Sequence, residues 1–224
     1  MERKLSTILA SDVVGFSKMM AKNEEITLEI LKKRRLVIDG LIAEFGGKIF
    51  GSAGDSVIAE FPSPIKATEC AVKIQQKMQV MNSDQHEEKQ MIFRVGINIG
   101  DVMVAQENLF GDAVNIASRL EAEALPSGIC VSQSVFDMVG QKLKVSFEDA
   151  GKLELKNIEG PVQAYFIIPG KGAGRYLQNT ETPKIKLHTA ETGSIAIMLF
   201  KNLSADKEQE YFCEGFSEDL VSAL

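Results

Sequence analysis

Along residues 1–168 the apolar positions change period repeatedly, from short β-branched runs to helical stripes and back. Residues 4–14 form a short apolar run ending at an Asp and a Gly, and predict a strand. Across 24–45, Leu31, Ile38, Ile42 and Phe45 keep to one helical face, and Gly46-Gly47 closes the stretch as glycine does after a helix. The basic run Lys32-Lys33-Arg34-Arg35 interrupts that stripe and reads as solvated surface. Residues 48–61 predict two short strands around Gly51-Ser52-Ala53-Gly54-Asp55-Ser56, a hairpin with a glycine-containing turn. Pro62 and Pro64 introduce a second helix with the stripe Ala67, Ala71, Ile74 and Met78, and 82–89 is polar and loop-like. Residues 91–99 and 102–106 predict a further strand pair turning at Gly100-Asp101. Gly111-Asp112 supplies a helix start, with Asp112 placed to cap 113–125. Pro126 and Gly128 stop that helix, and 129–132, 143–155 and 162–168 complete an alternating α/β pattern.

The pattern breaks at 169–193, where Gly170, Gly172, Gly174, Thr180, Thr182 and Pro183 make a linker by composition. After it, 194–200 reads as a fresh apolar strand and 206–224 as a helix-like segment. The expectation is one domain over 1–168, a linker over 169–193, and at 194–224 the opening of a second domain that continues past Leu224. A piece of about 30 residues cannot bury a sufficient core alone.

Composition narrows the classes. Of 224 residues, 45% are apolar and 25% charged, which excludes disordered, collagen-like and disulfide-scaffold readings for most of the chain. Lys+Arg total 25 against 31 Asp+Glu, a net charge of −6, which argues against a nucleic-acid binder. Cys70, Cys130 and Cys213 are odd in number, far apart and outside any CxxC pair, so no stapling or structural zinc is expected. Neither a signal peptide nor a run of ~20 apolar residues is visible. These features predict a cytoplasmic protein with no direct membrane insertion.

Two acidic residues sit at strand-to-turn transitions beside glycine: Asp12 in Ala10-Ser11-Asp12-Val13-Val14-Gly15-Phe16, and Asp55 after Gly54. An Asp in a turn is by itself most often a turn residue. Two carboxylates brought together from separate strand ends, with the Val13 carbonyl beside them, would suit Mg²⁺, which takes oxygen ligands and leaves room for phosphates. Asn115 and Arg119 are spaced i, i+4 and share one helix face, a suitable pair for a phosphate and a ribose oxygen. The competing reading of Arg119 is a surface pair with Glu121 or Glu123.

The strings Asp12-Val13-Val14-Gly15-Phe16-Ser17, Gly54-Asp55-Ser56, Gly111–Glu121 and Leu155-Lys156-Asn157-Ile158, in that order and spacing, resemble a class III adenylate/guanylate cyclase catalytic domain. Residues 194–224 resemble the start of a TolB-like amino-terminal domain. The resemblance implies a ferredoxin-like βαββαβ fold with extra C-terminal strands, and a head-to-tail homodimer with its active sites at the interface. It implies two Mg²⁺ or Mn²⁺ ions on Asp12, Asp55 and the Val13 carbonyl. Across the interface Asn115 would orient the ribose and Arg119 would stabilise the transition state. Gly15, Phe16, Gly51, Gly54, Asn108 and Lys156 fall at nucleotide-binding positions, Lys156 being the candidate for the pyrophosphate.

The chain departs from the family where the base is chosen. Adenylate cyclases of this class carry Lys four residues before the second metal Asp and guanylate cyclases Glu; here that residue is Gly51. Seven residues before the ribose Asn, an Asp or Thr is replaced by Asn108, whose amide both donates and accepts. Strict strand alternation puts Lys48, three residues before Gly51, on the opposite face, so Lys48 is not expected to take over. The implied function is cyclisation of a nucleoside triphosphate, ATP rather than GTP, to the 3′,5′-cyclic monophosphate and pyrophosphate, for intracellular signalling. The alternative is a cyclase-fold regulatory module that binds nucleotide or a partner without turnover. A phosphoacceptor receiver domain is a third reading, disfavoured because only Asp12 stands at its first acidic site and the strands pair as hairpins.

Overall fold

Twelve residues of β1 (Glu2–Val13) run through the middle of the sheet, paired antiparallel on both sides. The computed structural model describes residues 2–105 and 108–168; the predicted linker and TolB-like segment lie outside them. After β1 come α1 (Phe16–Lys22), α2 (Glu24–Glu44), β2 (Lys48–Ala53), β3 (Ser56–Phe61) and α3 (Pro64–Ser83). Then follow β4 (Phe93–Ala105), β5 (Asn108–Phe110), α4 (Asp112–Glu123), β6 (Ile129–Ser132), α5 (Gln133–Val139), β7 (Ser146–Leu153) and β8 (Val162–Ile168). The sheet order is β2-β3-β1-β4-β6-β8-β7, with β5 paired to β4. This is the mixed α/β fold expected. Because β1 and β3 are antiparallel and only β4 and β6 pair in parallel, the parallel βα units of a receiver are absent from the described residues.

Alternation along β1 assigns its two faces. Leu9 and Val13 enter the main core with Ile38 and Ile42 of α2, Ile74 and Met78 of α3, and Val135 of α5. Ile8 and Ala10 point the other way, against Ala113, Val114 and Ala117 of α4. Each fully buried aliphatic side chain stabilises by about 1.5–3 kcal/mol, so both layers contribute. Close seating of α4 depends on Gly96: a Cβ there would lie 2.2 Å from the Ala117 carbonyl oxygen and 2.2 Å from the Glu121 nitrogen.

Several expectations are corrected. Residues 93–105 form one continuous strand, not a pair turning at Gly100-Asp101, because β1 pairs with it from Val13↔Phe93 to Glu2↔Val104. Gly100 serves packing: a Cβ there would meet the Ala113 Cβ at 3.0 Å. Asp112 lies in the first turn of α4 and does not cap it; the cap position is Gly111, at φ 136. Half of the basic run is not solvated surface. Arg34 is buried, its Nη2 donating to the Met81 carbonyl at 2.8 Å and Asn82 Oδ1 at 2.9 Å, and Arg35 pairs with Asp39. The short helices α1 and α5 had no visible stripe, α1 burying no residue fully. Cys70 and Cys130 are free and buried, burial pushing both thiols up to about 12, so the inert reading holds for them.

The hairpin β2–β3 also departs from strict alternation. Lys48 pairs with Glu60 and Ile49 with Ala59, but Gly51 pairs with Ile58, leaving Phe50 as an extra residue. Such a bulge changes the parity of the strand. Lys48 and Gly51 therefore face the same side of the sheet, the side of α4, contrary to the expectation from spacing.

Candidate active site

Asp12 stands one residue before the end of β1, where Gly15 in a left-handed conformation (φ 70) turns the chain into α1 at Phe16. Asp55 occupies the turn between β2 and β3, after Gly54 at φ 62. The Val13 N–H donates to Asp55 Oδ2 at 3.1 Å, so the two carboxylates meet across segments distant in the chain. Asp12 is half-buried, and its pKa is raised to about 6 by burial first, then by a hydrogen bond with Asp55 and the Asp55 charge. The Val13 N–H and Arg94 act in the opposite direction.

Arg94 and Glu121 complete this cluster, and reading the sequence missed both. Arg94 is the register partner of Asp12, its Nη2 lying 3.7 Å from Asp12 Oδ2 and 3.0 Å from Glu121 Oε1. Its Nη1 donates to the Ala122 carbonyl at 2.9 Å. Glu121 is only 9% exposed on the buried side of α4, and burial pushes its carboxyl up to about 7. Arg94 opposes that rise, while the charges of Asp12 and Asp55 add to it. Asp12 and Glu121 thus share one guanidinium, with Asp55 beside Asp12. The available signal was a charged residue on an otherwise apolar stripe, Glu121 four residues after Ala117.

The donor set fits a hard divalent cation. Two carboxylates pressed together are the protein share that Mg²⁺ commonly takes, with phosphates and water completing its shell. Among the described residues, no group of three or more His, Cys, Asp or Glu is placed to hold a metal ion. The Val13 N–H is the group seen to engage Asp55.

The other predicted residues fall into a separate group. Asn115 is exposed on α4, and Arg119 on the same face donates through Nε to the Lys156 carbonyl at 3.2 Å. That contact replaces the surface pair considered for Arg119, because Glu121 is taken by Arg94. It also brings Lys156 beside α4. Asn108 is exposed on β5, and Gly51 lies at the β2 bulge. Among the described residues, no contact joins Asn115 or Arg119 to the Asp12–Asp55 pair, so the predicted residues fall into two separate groups on the chain.

Residues 2–169 match the family described as adenylate and guanylate cyclase catalytic domain. The chain is 39% identical over 223 residues to putative adenylate cyclase 3 of Rhizobium meliloti (strain 1021), covering 99% of this chain and 38% of that protein. It thus spans well under half the length of that curated relative. A solved adenylate/guanylate cyclase/hydrolase from Silicibacter pomeroyi matches at TM-score 0.71 and 40% identity, over 75% of this chain and 98% of the other. The guanylate cyclase domain of RhGC from Catenaria anguillulae, in complex with GTP, shares the fold at TM-score 0.63 and 23% identity, over 75% of this chain and 98% of that one.

Proposed function

Because the chain belongs to the adenylate and guanylate cyclase catalytic domain family, we propose that it converts a nucleoside triphosphate, ATP in preference to GTP, to the 3′,5′-cyclic monophosphate and pyrophosphate. The observation that carries this reading is the junction of Asp12 and Asp55, two carboxylates held together at separate strand ends with Asp12 lifted to about 6. Asp12 and Asp55 would hold two Mg²⁺ or Mn²⁺ ions. Such ions supply Lewis-acid polarisation of phosphate oxygens and lower the pKa of the attacking hydroxyl. Arg94 lies beside the Asp12 carboxylate on the neighbouring strand, its Nη2 3.7 Å from Oδ2.

In the reaction the ribose 3′-hydroxyl would give up its proton to water as its oxygen attacks the α-phosphorus, and the bond to the pyrophosphate oxygen would break. Positioning and electrostatics supply most of what such transfers need. Asn115 orients the ribose from the exposed face of α4. Arg119 stabilises charge developing on the phosphate oxygens, and Lys156 holds the pyrophosphate. Asp12 and Asp55 of one subunit would act with Asn115, Arg119 and Lys156 of a second, so the active form is a homodimer. The separation of the two halves on one chain favours this assembly.

Residues 194–224 would begin a second, TolB-like domain, and the cyclase domain would act in the cytoplasm. No helix among the described residues is long and apolar enough to cross a membrane, which is compatible with that placement.

A module that binds nucleotide or a partner without turnover is favoured by the departures at Gly51 and Asn108. An assay of both cyclic nucleotides with Mg²⁺ or Mn²⁺, run beside Asp55→Ala, separates the two readings. Product from the unaltered protein above the Asp55→Ala background is the expected result; neither product above it overturns the enzymatic reading.

A further inference from the structure

We infer that the protein holds a second ligand site, outside the Asp12–Asp55 pair, that takes an organic amine with a flat apolar body and a hydroxyl at its far end. The site is a cavity of about 590 Å³ at the carboxyl ends of β4 and β6. These strands run parallel, and the helices that follow them lie on opposite faces of the sheet. α4 packs on Ile8 and Ala10, whereas Val135 and Val139 of α5 enter the main core. Helices diverging in this way open a crevice beyond the strand ends, where α/β sheets commonly seat small ligands.

The crevice reaches into the sheet itself. The last pair of β4 with β6 is Ile97↔Val131, and its nearest pair with β5 is Met103↔Phe110. Between these two, among the described residues, no strand pairs with that edge of β4. The Val95 N–H donates to the Gly128 carbonyl on the β6 side, so odd-numbered residues of β4 turn their backbone groups away from β1. Ile99 and Asp101 therefore direct theirs into the gap. Asn98 and Ser132, 5% and 4% exposed, form its buried end. The Asn98 amide is engaged, donating to the Ala113 carbonyl at 3.2 Å. Ser132 is not. Cys130 packs with Leu120 of α4, and Ser132, two residues on, points to the same side. Its Oγ is buried and has no hydrogen-bond partner among the described residues. A buried hydroxyl left in that state is uncommon, and a ligand hydroxyl in the cavity would satisfy it.

Charge at the open end selects the other group. Asp101 and Asp112 line the cavity, both are exposed, and neither carboxylate meets a cation among the described residues. The β4–β5 register, continued past Met103↔Phe110, sets Asp112 opposite Asp101. Gly111 lies against the Asp101 carbonyl, whose oxygen is 2.9 Å from where a Cβ would stand. Arg3 is the one cation in the lining, so the two carboxylates leave the cavity net negative. An ammonium, which donates and cannot accept, suits this end, and a carboxylate is repelled there. Phe110, 51% exposed, offers its ring to a flat apolar body and to a nearby ammonium. Asn98 and Asp101 are three residues apart on β4, about 10 Å along the strand. The amine and the hydroxyl therefore belong at opposite ends of the ligand. Asp112 and Ile116 in the wall belong to the helix that carries Asn115 and Arg119, so an occupant touches that helix without entering the Asp12–Asp55 pair.

Ligand-observed NMR titration of the full chain tests this with three probes of similar size. They are tyramine, 2-phenylethylamine, which lacks the hydroxyl, and 3-(4-hydroxyphenyl)propionate, which carries a carboxylate in place of the ammonium. Tyramine is expected to bind most tightly of the three. Asp101→Asn with Asp112→Asn should weaken both amines by about 10- to 100-fold, the loss of charged hydrogen bonds. Ser132→Ala should weaken tyramine by about 3- to 10-fold and leave 2-phenylethylamine unchanged, because only tyramine has a hydroxyl to lose. Asp55→Ala should leave tyramine binding unchanged. If the double variant fails to fold, the choice of the unaltered protein between tyramine and the propionate decides the charge requirement. Equal weakening of both amines by Ser132→Ala, tighter binding of the propionate than of tyramine, loss of tyramine binding in Asp55→Ala, or no binding of tyramine to the unaltered protein each overturns the assignment. The titration needs no turnover, so it stands or falls separately from the cyclase reading.

Discussion

Arg94 Nη2 lies 3.0 Å from Glu121 Oε1, and this ion pair ties the strand beside Asp12 to the helix that carries Asn115 and Arg119. Glu121 is buried and surrounded by further negative charge, so its carboxyl is raised to about 7 from an ordinary 4.5. The folded state therefore holds that proton more tightly than the unfolded chain does. Its contribution to stability is complete below about 4.5 and is lost as pH rises through about 7. Glu121→Gln should thus gain stability relative to the unaltered protein between pH 5 and pH 8, by about 3 kcal/mol. Thermal melts across that range check it; parallel profiles for the two proteins would count against the buried-charge account.

Removing the other partner works in the opposite direction. Arg94→Met leaves Glu121 buried without its cation, and loss of one partner of a buried pair costs about 3–5 kcal/mol. Because Arg94 is partly exposed, the lower end is expected, as a drop in the urea midpoint at pH 8. The loss should shrink at pH 5, where Glu121 is protonated. An equal loss at both values would assign the effect to packing alone.

Divalent ions should bind with a pH dependence set by Asp12. Its proton, held with a pKa of about 6, must leave before the carboxylate can coordinate. Stabilisation by Mg²⁺ or Mn²⁺ is expected to be small at pH 5 and to rise through pH 7. Calorimetry near pH 6 should report proton release, and Asp55→Asn should remove the stabilisation. A thermal shift of the same size at pH 5 and 7.5 would place the ion elsewhere.

Two inactive variants should restore each other if the halves meet across a dimer. Arg119→Ala is expected to lower kcat by about 10²–10³-fold, as loss of a transition-state donor does. Asp55→Ala should abolish turnover. Mixed in equal amounts, they should recover roughly a quarter of the unaltered activity, since half the dimers carry one intact site of two. No recovery after subunit exchange would argue for a site within one chain.

Gly96→Ala tests the seating of α4. The new Cβ would sit 2.2 Å from backbone atoms of Ala117 and Glu121, which cannot swing aside as a side-chain tip can. Overpacking of this kind costs about 1–3 kcal/mol. Displacement of α4 should also lower cyclase activity by moving Asn115 and Arg119. A variant with unchanged stability and turnover would show that α4 can shift freely.

Most of the fold was legible because its signals are local. The stripe on α2, the prolines before α3 and the glycines around the β2–β3 turn each act over a few residues. Asp12, Asp55, Asn115 and Arg119 stood out for the same reason, each in a short string at an element's end. Gly100 misled because glycine serves both turns and close packing; the twelve-residue pairing of β1 with β4 decided for packing. Arg34 misled because a basic run looks solvated until α3 brings the Met81 carbonyl to it.

By itself the sequence determined the order and type of the main elements, the candidate residues Asp12, Asp55, Asn115 and Arg119, and the glycine at position 51. Only the tertiary structure decided which residues stand opposite one another. Arg94 faces Asp12 because β1 and β4 pair in one register, and Glu121 joins them because Gly96 lets α4 lie against β4. Lys48 reaches the α4 side because a single unpaired residue reverses the alternation of β2. Periodicity reports a residue's own element, whereas register and bulges arise from pairing between distant segments, which no local pattern encodes.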